Sequence, residues 1–192
     1  VFSNGTVLRN RIVMAPMTRS RADEADCPTD LHVDYYAQRA DAGLIVSEGI
    51  HPSIEGKGYP RTPGIYDDAQ RAAWDKVTDA VHARGGRIVA QLMHVGRIAA
   101  EANRPAGTDV IAPSAIQANA KLWTAMGMSG TMMPRALETS EIPGVIEAYA
   151  SAAARAIAAG FDGVELHCTS GYLPAQFMAT GTNRRTDAYG GS

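Results

Sequence analysis

Four short apolar runs, separated by stretches with helical spacing, constrain the fold of this chain more than any other feature. Almost every residue in the runs is apolar, which is typical of strands covered on both faces. The runs span residues 11–15, 43–47, 87–92 and 163–167. The helical stretches between them span residues 29–42, 67–84 and 140–159. This β-α-β-α-β-α-β order predicts an α/β protein with a parallel sheet.

The predicted helix ends carry residues suited to them. Thr29 has the hydroxyl typical of an N-cap, and we expect it to begin the first helix. Gly43, Gly85 and Gly160 each follow a helical stretch, and we expect these glycines to end the three helices.

Two α/β architectures are compatible with this order, a doubly wound sheet and a barrel. A dinucleotide-binding doubly wound sheet carries a G-x-G-x-x-G turn after its first strand, and this sequence has none there. The first predicted strand is instead followed by a rigid turn with polar groups, Pro16-Met17-Thr18-Arg19. Distinctive residues also cluster just after each predicted strand, where barrels carry their sites. We therefore predict a parallel (β/α)8 TIM barrel, of which this chain holds the first four β/α units.

The predicted domain is incomplete, because four strands cannot close a barrel and half a barrel leaves two sheet edges open. We expect residues 1–192 to be the N-terminal half of a single domain, completed by a C-terminal half-barrel or by a homo-oligomer partner. Segment 98–138, rich in Pro, Gly and Met, is expected to form a long loop after the third strand. A connection of that length is usually functional, such as a lid, although a surface insertion is the alternative.

Composition excludes several classes of partner. Hydrophobic residues make up 45% and charged residues 20%, with a formal net charge of −2, so neither nucleic acid nor a membrane is expected as a partner. Cys27 and Cys168 form no C-x-x-C pair, and Cys168 is the only Cys or His near His167, so no metal site is predicted. Isolated cysteines and the lack of a signal-peptide pattern suit a cytoplasmic protein.

Five separated stretches resemble the signature of the Old Yellow Enzyme family of flavin-dependent ene-reductases. They span residues 10–19, 47–49, 91–97, 112–116 with 134–137, and 160–167 running on to 183–187. The resemblance implies FMN as cofactor and NADPH or NADH as its reductant. It also implies a small-molecule substrate with an activated alkene, such as an enone, whose C=C bond is reduced.

Gln91 and Thr18 are the candidate polar contacts to the flavin. The carboxamide of Gln91 presents a donor and an acceptor side by side, which matches the N3–H/O2 edge of the ring, although strand-end glutamines are often only solvated. The resemblance implies that Gln91 holds the isoalloxazine and that Thr18 donates to flavin O4. A hydroxyl that caps the turn is the alternative for Thr18.

Four further residues are candidate cofactor contacts through their backbone. The resemblance implies that Ala15, Pro16 and Met17 lie along the ring. Gly49 would let the chain approach the cofactor closely because it has no Cβ, although a glycine after a strand is otherwise a turn residue.

His167, Ser170 and Tyr172 are the candidate catalytic residues. They lie within six residues just after the fourth predicted strand. The resemblance implies that His167 and the residue at Ser170 bind the substrate carbonyl and that Tyr172 donates a proton. Relatives carry Asn or His at the position of Ser170, and a Ser hydroxyl has a shorter reach than an amide. Met93 also stands where several relatives carry Trp.

Two other functions stay open from the sequence. Aldolases and isomerases share the strand pattern, but they call for a Lys or an acidic base at a strand end. No Lys lies there, whereas Glu48 and Glu165 do. The other possibility is an inactive half-barrel or a structural module, and yellow colour on purification would separate a flavoprotein from both.

Overall fold

The computed structural model describes residues 5–191, which form eight strands and four α-helices. The strands are β1 (Val13–Met14), β2 (Leu44–Ile50), β3 (Ile88–Leu92), β4 (Ile111–Ala112), β5 (Lys121–Thr124), β6 (Gly127–Gly130), β7 (Arg135–Ala136) and β8 (Val164–Leu166). The helices are α1 (Asp30–Ala37), α2 (Asp68–His82), α3 (Ile142–Ala158) and α4 (Leu173–Met178). Two single-turn 3₁₀ helices lie at Ile54–Gly56 and Glu101–Asn103.

The four predicted strands form one parallel sheet in the order β1-β2-β3-β8, which confirms the α/β class and the parallel pairing. β1 and β8 each have a neighbour on one side, so the sheet stays open and this chain closes no barrel. β1 is only two residues long, whereas the sequence predicted a strand over residues 11–15. β2 is a central strand and pairs with a neighbour on each side, whereas β1 is an edge strand and pairs on one side only. This difference agrees with β1 being shorter than β2.

The core lies between the sheet and its helices. Trp74, Val77 and Val81 recur at helical spacing on α2 and are fully buried. Ile88, Ala90 and Leu92 of β3 pack into the same cluster. Burying each large apolar side chain contributes roughly 1.5–3 kcal/mol. Because side chains alternate along a strand, Gln91 lies on the other face of β3, away from the helices.

Helix α1 begins where predicted but ends earlier. The backbone N–H of Thr29 donates to His32 Nδ1 at 3.0 Å, which ties the first turn to the cap position. The helix ends at Ala37 rather than at residue 42, because residues 39–42 continue in short turns with N–H donation to the third residue back. A Cβ at Gly43 would lie 2.2 Å from the Asn10 carbonyl oxygen. Gly43 is therefore needed for close approach to the β1 segment rather than to end the helix.

The other two helix ends follow the sequence prediction. The Asp67 side chain accepts the Gln70 N–H at 2.8 Å and caps α2. Gly85 and Gly160 adopt positive φ of 70° and 83° just after α2 and α3. Because glycine has no Cβ, this conformation carries no steric cost there.

Segment 98–138 is not an irregular loop. It holds β4 and β7, which pair with each other in parallel, and β5 and β6, which form an antiparallel hairpin. Asn103 ties the segment to the rest of the fold, since its side-chain amide donates to the Gly58 and Trp123 carbonyls at 3.2 and 2.9 Å. These strands were not predicted from the sequence because they are short and their apolar residues show no clear alternation.

Candidate functional site

Sheet register brings the last residues of β2, β3 and β8 to one edge. Gly49 pairs with Gln91, and Gln91 pairs with Glu165. Gln91 is 5% exposed, and its Nε2 donates to Glu165 Oε1 at 2.7 Å. A carboxamide has two N–H donors and a carbonyl, so this contact occupies one N–H and leaves the other N–H and the carbonyl oxygen without a hydrogen bond in the described part of the chain.

The loop after β1 carries four more of the predicted cofactor residues, and most of them are exposed to solvent. Ala15, Met17 and Thr18 are exposed, and Pro16 is half-buried. The loop is held at its far end, where the Arg19 backbone N–H donates to Glu48 Oε2 at 3.0 Å. Across residues 5–191, no hydrogen bond joins this loop to Gln91 or His167. Thr18 therefore presents a hydroxyl available to an external acceptor.

Gly49 has a packing reason within the protein itself. A Cβ at this position would lie 2.6 Å from Cε and 2.7 Å from Sδ of Met93. The Met93 side chain therefore makes the close approach at Gly49. The role of Gly49 as a cofactor contact stays a prediction.

His167 continues the ladder just past β8, where its backbone N–H donates to the Leu92 carbonyl at 3.0 Å. Its Nδ1 accepts the Thr169 backbone N–H at 3.4 Å and lies 3.3 Å from the Thr169 hydroxyl. Burial lowers the pKa of His167, with the charge of Glu165 opposing that shift. The imidazole is therefore neutral at pH 7, with Nδ1 as acceptor and the hydrogen on Nε2.

Tyr172 lies against His167, with ring centroids 4.8 Å apart and planes at 89°. Its hydroxyl is 2.8 Å from the hydroxyl of Tyr59, 113 residues away in the chain. Burial and then the hydrogen bond with Tyr59 raise the pKa of Tyr172 well above its ordinary value. Sequence reasoning missed Tyr59, because a Tyr before a Pro in a long connection carries no local sign of such a contact.

Ser170 lies beside the same pair at a positive φ of 57°. Its Oγ is 3.5 Å from Thr169 Oγ1, which in turn lies 3.3 Å from His167 Nδ1. The structure thus brings the three predicted catalytic residues onto one short loop. Thr169, which the sequence analysis did not single out, connects two of them.

A buried glutamine clamps this loop to the segment after β3. Gln176 Nε2 donates to the Val95 and Gly171 carbonyls at 3.0 and 2.7 Å, and Gln176 Oε1 accepts the Arg97 N–H at 3.2 Å. A Cβ at Gly96 would lie 2.3 Å from Gln176 Oε1, so the segment needs glycine there. The clamp gives Tyr172, four residues before Gln176, a fixed support.

His94 organises the segment after β3. Its Nδ1 accepts the Gly96 N–H at 3.1 Å. Burial, and then the positive charge of Arg104, lower the pKa of His94 to about 3, so the buried ring is neutral. His94 therefore has a structural role in this segment.

Residues 5–191 contain neither a metal-binding cluster nor a membrane-spanning helix. No cluster of three His, Cys, Asp or Glu side chains is suited to hold a metal ion. None of the helices in that range is long and apolar enough to cross a membrane.

Comparison with known proteins identifies relatives of this chain. The family model described as the NADH:flavin oxidoreductase / NADH oxidase family matches residues 2–192. The chain is 45% identical over 190 residues to 12-oxophytodienoate reductase 7 of Oryza sativa subsp. japonica, covering 96% of this chain and 48% of that protein. The chain therefore spans about half the length of the curated relatives it matches.

Solved structures agree with this result. Morphinone reductase in complex with tetrahydroNAD superposes with a TM-score of 0.90 at 52% identity, over 96% of this chain and 52% of that one. The old yellow enzyme homologue of Zymomonas mobilis superposes with a TM-score of 0.93 at 46% identity, over 98% of this chain and 52% of that one. The four β/α units correspond to about half of these barrels. The chain belongs to the NADH:flavin oxidoreductase / NADH oxidase family, in which the old yellow enzyme homologues also fall.

Proposed function

We propose that the full-length protein containing this chain is an FMN-dependent ene-reductase. It reduces the activated C=C bond of enones and similar small molecules, with NADPH or NADH as the reductant. The pairing of a neutral His167 with a protonated Tyr172 on one loop, beside Gln91, is the observation that carries the proposal. The family assignment and the nicotinamide analogue bound to morphinone reductase support it.

The residues at the strand ends fit a flavin ring. Gln91 is held by Glu165 so that one N–H and the carbonyl oxygen remain for the pyrimidine edge. The exposed hydroxyl of Thr18 suits flavin O4, and the exposed backbone of Ala15 and Met17, with Pro16 between them, suits contact along the ring. These four residues of the β1 loop and Gln91 are the groups we assign to cofactor binding, together with Gly49.

We assign His167 to the substrate carbonyl. FMN, when bound and reduced, supplies the hydride that is added to the β-carbon of the alkene. His167 donates its Nε2–H to the carbonyl oxygen, where negative charge grows during that transfer. Its Nδ1 already accepts from Thr169, so the ring has one orientation for this task. Ser170 is the second, shorter-reaching donor.

Tyr172 completes the addition with a proton to the α-carbon. Its raised pKa keeps the hydroxyl protonated at neutral pH. The hydroxyl of Tyr59 lies 2.8 Å from that of Tyr172 and can donate to the phenolate oxygen that forms as the proton leaves. Hydride and proton together account for the two hydrogens that saturate the C=C bond.

The decisive experiment uses the purified full-length protein. We expect a yellow protein that releases FMN on denaturation, is bleached anaerobically by NADPH or NADH, and recovers its colour with an enone. His167→Ala should slow recovery by enone far more than bleaching by nicotinamide, because it acts on the substrate carbonyl alone. A colourless protein that takes up no added FMN would contradict the proposal.

Cytoplasmic location stays a proposal. Cys27 and Cys168 are both free thiols. Free thiols suit a reducing compartment. Fractionation of the producing cells would test it.

A further inference from the structure

We propose that Glu48 is a positioning residue for the cofactor, because its buried carboxylate fixes the loop that presents Thr18. This inference rests on the proposed function for the role of Thr18 but not for the anchoring itself. Glu48 is fully buried, and its Oε2 accepts the backbone N–H of Arg19, the residue directly after Thr18.

A bulge in the sheet aims Glu48 at its partners. Val46 pairs with Val89 and Gly49 pairs with Gln91, so Ser47 and Glu48 together stand opposite Ala90. Such a two-against-one bulge redirects side chains. It allows Glu48 to meet α1 on one side of the strand while Gly49 keeps its place beside Gln91.

Two side chains of α1, His32 and Tyr36, lie against Glu48. Thr29 donates its backbone N–H to His32 Nδ1, which leaves a ring hydrogen for Nε2, and Nε2 lies 3.3 Å from Glu48 Oε1. The Glu48 backbone N–H donates to the Tyr36 hydroxyl at 2.8 Å, and that hydroxyl lies 3.4 Å from Oε1. Burial and then the charge of Glu48 raise the pKa of Tyr36 well above its ordinary value, so it stays a donor.

The Arg19 N–H and the Tyr36 hydroxyl donate to this carboxylate, and no Lys or Arg side chain within residues 5–191 forms an ion pair with it. His32 Nε2 lies 3.3 Å from Oε1 without hydrogen-bond geometry. A buried carboxylate without a cation is costly unless hydrogen bonds replace its hydration. An apolar residue would fill the same space at less cost but could not hold the Arg19 N–H. The arrangement is thus suited to fixing position rather than to adding stability.

The Arg19 contact is the hydrogen bond nearest to Thr18 on this loop. The next bonds to other segments are made by Arg21, whose carbonyl accepts the Thr29 hydroxyl, and by Ala22, which pairs with Arg61. β1 is two residues long, and Ala15, Met17 and Thr18 are exposed. The Arg19 guanidinium stacks over the Tyr35 ring at 4.4 Å, next to Tyr36. The Glu48 and Tyr35 contacts both act on Arg19, so the position of Thr18 depends on how firmly its neighbour is held.

The test replaces Glu48 with glutamine in the full-length protein. Glu48→Gln turns one accepting oxygen into a donor, which opposes either the Arg19 N–H or the His32 Nε2–H. We expect hydrogen–deuterium exchange in a peptide covering residues 15–21 to become about tenfold faster, and FMN to bind about tenfold more weakly. The flavin midpoint potential should fall, which is also the direction expected for Thr18→Ala.

Asp26→Asn is the matched control. Asp26 is also a buried acid, and Lys57 and Tyr66 contact its carboxylate. This control should lower thermal stability without changing exchange in residues 15–21 or FMN affinity. Equal effects of Asp26→Asn and Glu48→Gln on FMN affinity would overturn the inference, because the loss would then be general.

Two further variants keep the test decisive. The double variant Thr18→Ala/Glu48→Gln should bind FMN little worse than the worse single variant, because both changes act through one contact. If Glu48→Gln does not fold, Tyr36→Phe removes one donor to the carboxylate together with the acceptor of the Glu48 backbone N–H, and it should raise exchange in residues 15–21 about threefold. Unchanged exchange of residues 15–21 in Glu48→Gln and Tyr36→Phe would overturn the inference, whether or not the protein binds FMN. A full-length parent protein that binds no FMN would refute the proposed function instead.

Discussion

Ser170 offers the sharpest test of the candidate substrate site. The residue has a φ of 57°, which Asn adopts more readily than Ser and Gly most readily of all. Its Oγ reaches Thr169 Oγ1 at 3.5 Å, a distance at the limit for a hydrogen bond. Ser170→Asn in the full-length protein should therefore fit the backbone and extend an amide donor beyond the reach of the hydroxyl.

The expected gain follows from the value of one added hydrogen bond. A net contribution of about 0.5–1.5 kcal/mol corresponds to roughly 2- to 13-fold tighter binding of a phenol, whose oxyanion resembles the enolate. The conformational gain from the positive φ adds to stability but not to phenol affinity. The assay is a titration of phenol into the oxidised flavoprotein, followed by charge-transfer absorbance, alongside thermal melting.

Ser170→Gly and Ser170→Ala are the controls that separate the two effects. Ser170→Gly relieves the backbone without supplying a donor, so it should raise the melting temperature and leave phenol affinity at or below that of the parent. Ser170→Ala keeps the steric cost and loses the hydroxyl. If Ser170→Asn and Ser170→Ala both leave phenol affinity unchanged, Ser170 is a loop residue and takes no part in the site.

Three other predictions address the cofactor and the open sheet. Gln91→Ala should weaken FMN binding by about 1–3 kcal/mol, because buried polar groups lose their partner; unchanged FMN affinity and reduction kinetics would remove Gln91 from the site. Thr18→Ala should lower the flavin midpoint potential through loss of a donor to the reduced ring, and potentiometric titrations with identical midpoints would contradict this. Residues 1–192 expressed alone should form oligomers and bind FMN poorly, because the sheet edges are open and Val164 and Leu166 of β8 are 39% and 53% exposed. Size-exclusion chromatography that shows an FMN-loaded monomer with a cooperative melt would refute the last expectation.

The order of the four strands of the main sheet and of helices α1 to α3, and the parallel class of that sheet, could be predicted from the sequence, whereas β4 to β7 and α4 could not. The apolar runs and the helical spacing of residues such as Trp74, Val77 and Val81 are local patterns, set by the period of each element. The strand-end location of Gln91 and His167 follows from the same patterns. The resemblance to a known family, rather than the spacing, supplied the chemical roles.

Several features of the site were decided only by tertiary structure. Tyr59 meets Tyr172 across 113 residues, and the Met93 side chain packs over Gly49, where a Cβ would require it to move. Residues this far apart share no period, so no local pattern indicates their contact.

Glu48 illustrates the physical reason most clearly. In the sequence it is one more acidic residue after a strand, compatible with a solvated side chain or a catalytic base. Its burial beside His32 and Tyr36 depends on the bulge between β2 and β3, which arises when the two strands pair. The sequence determined the strands of the main sheet and the helices between them, because their signals are local. The register of the sheet decided which polar groups meet, because that register is a property of two strands and not of either one.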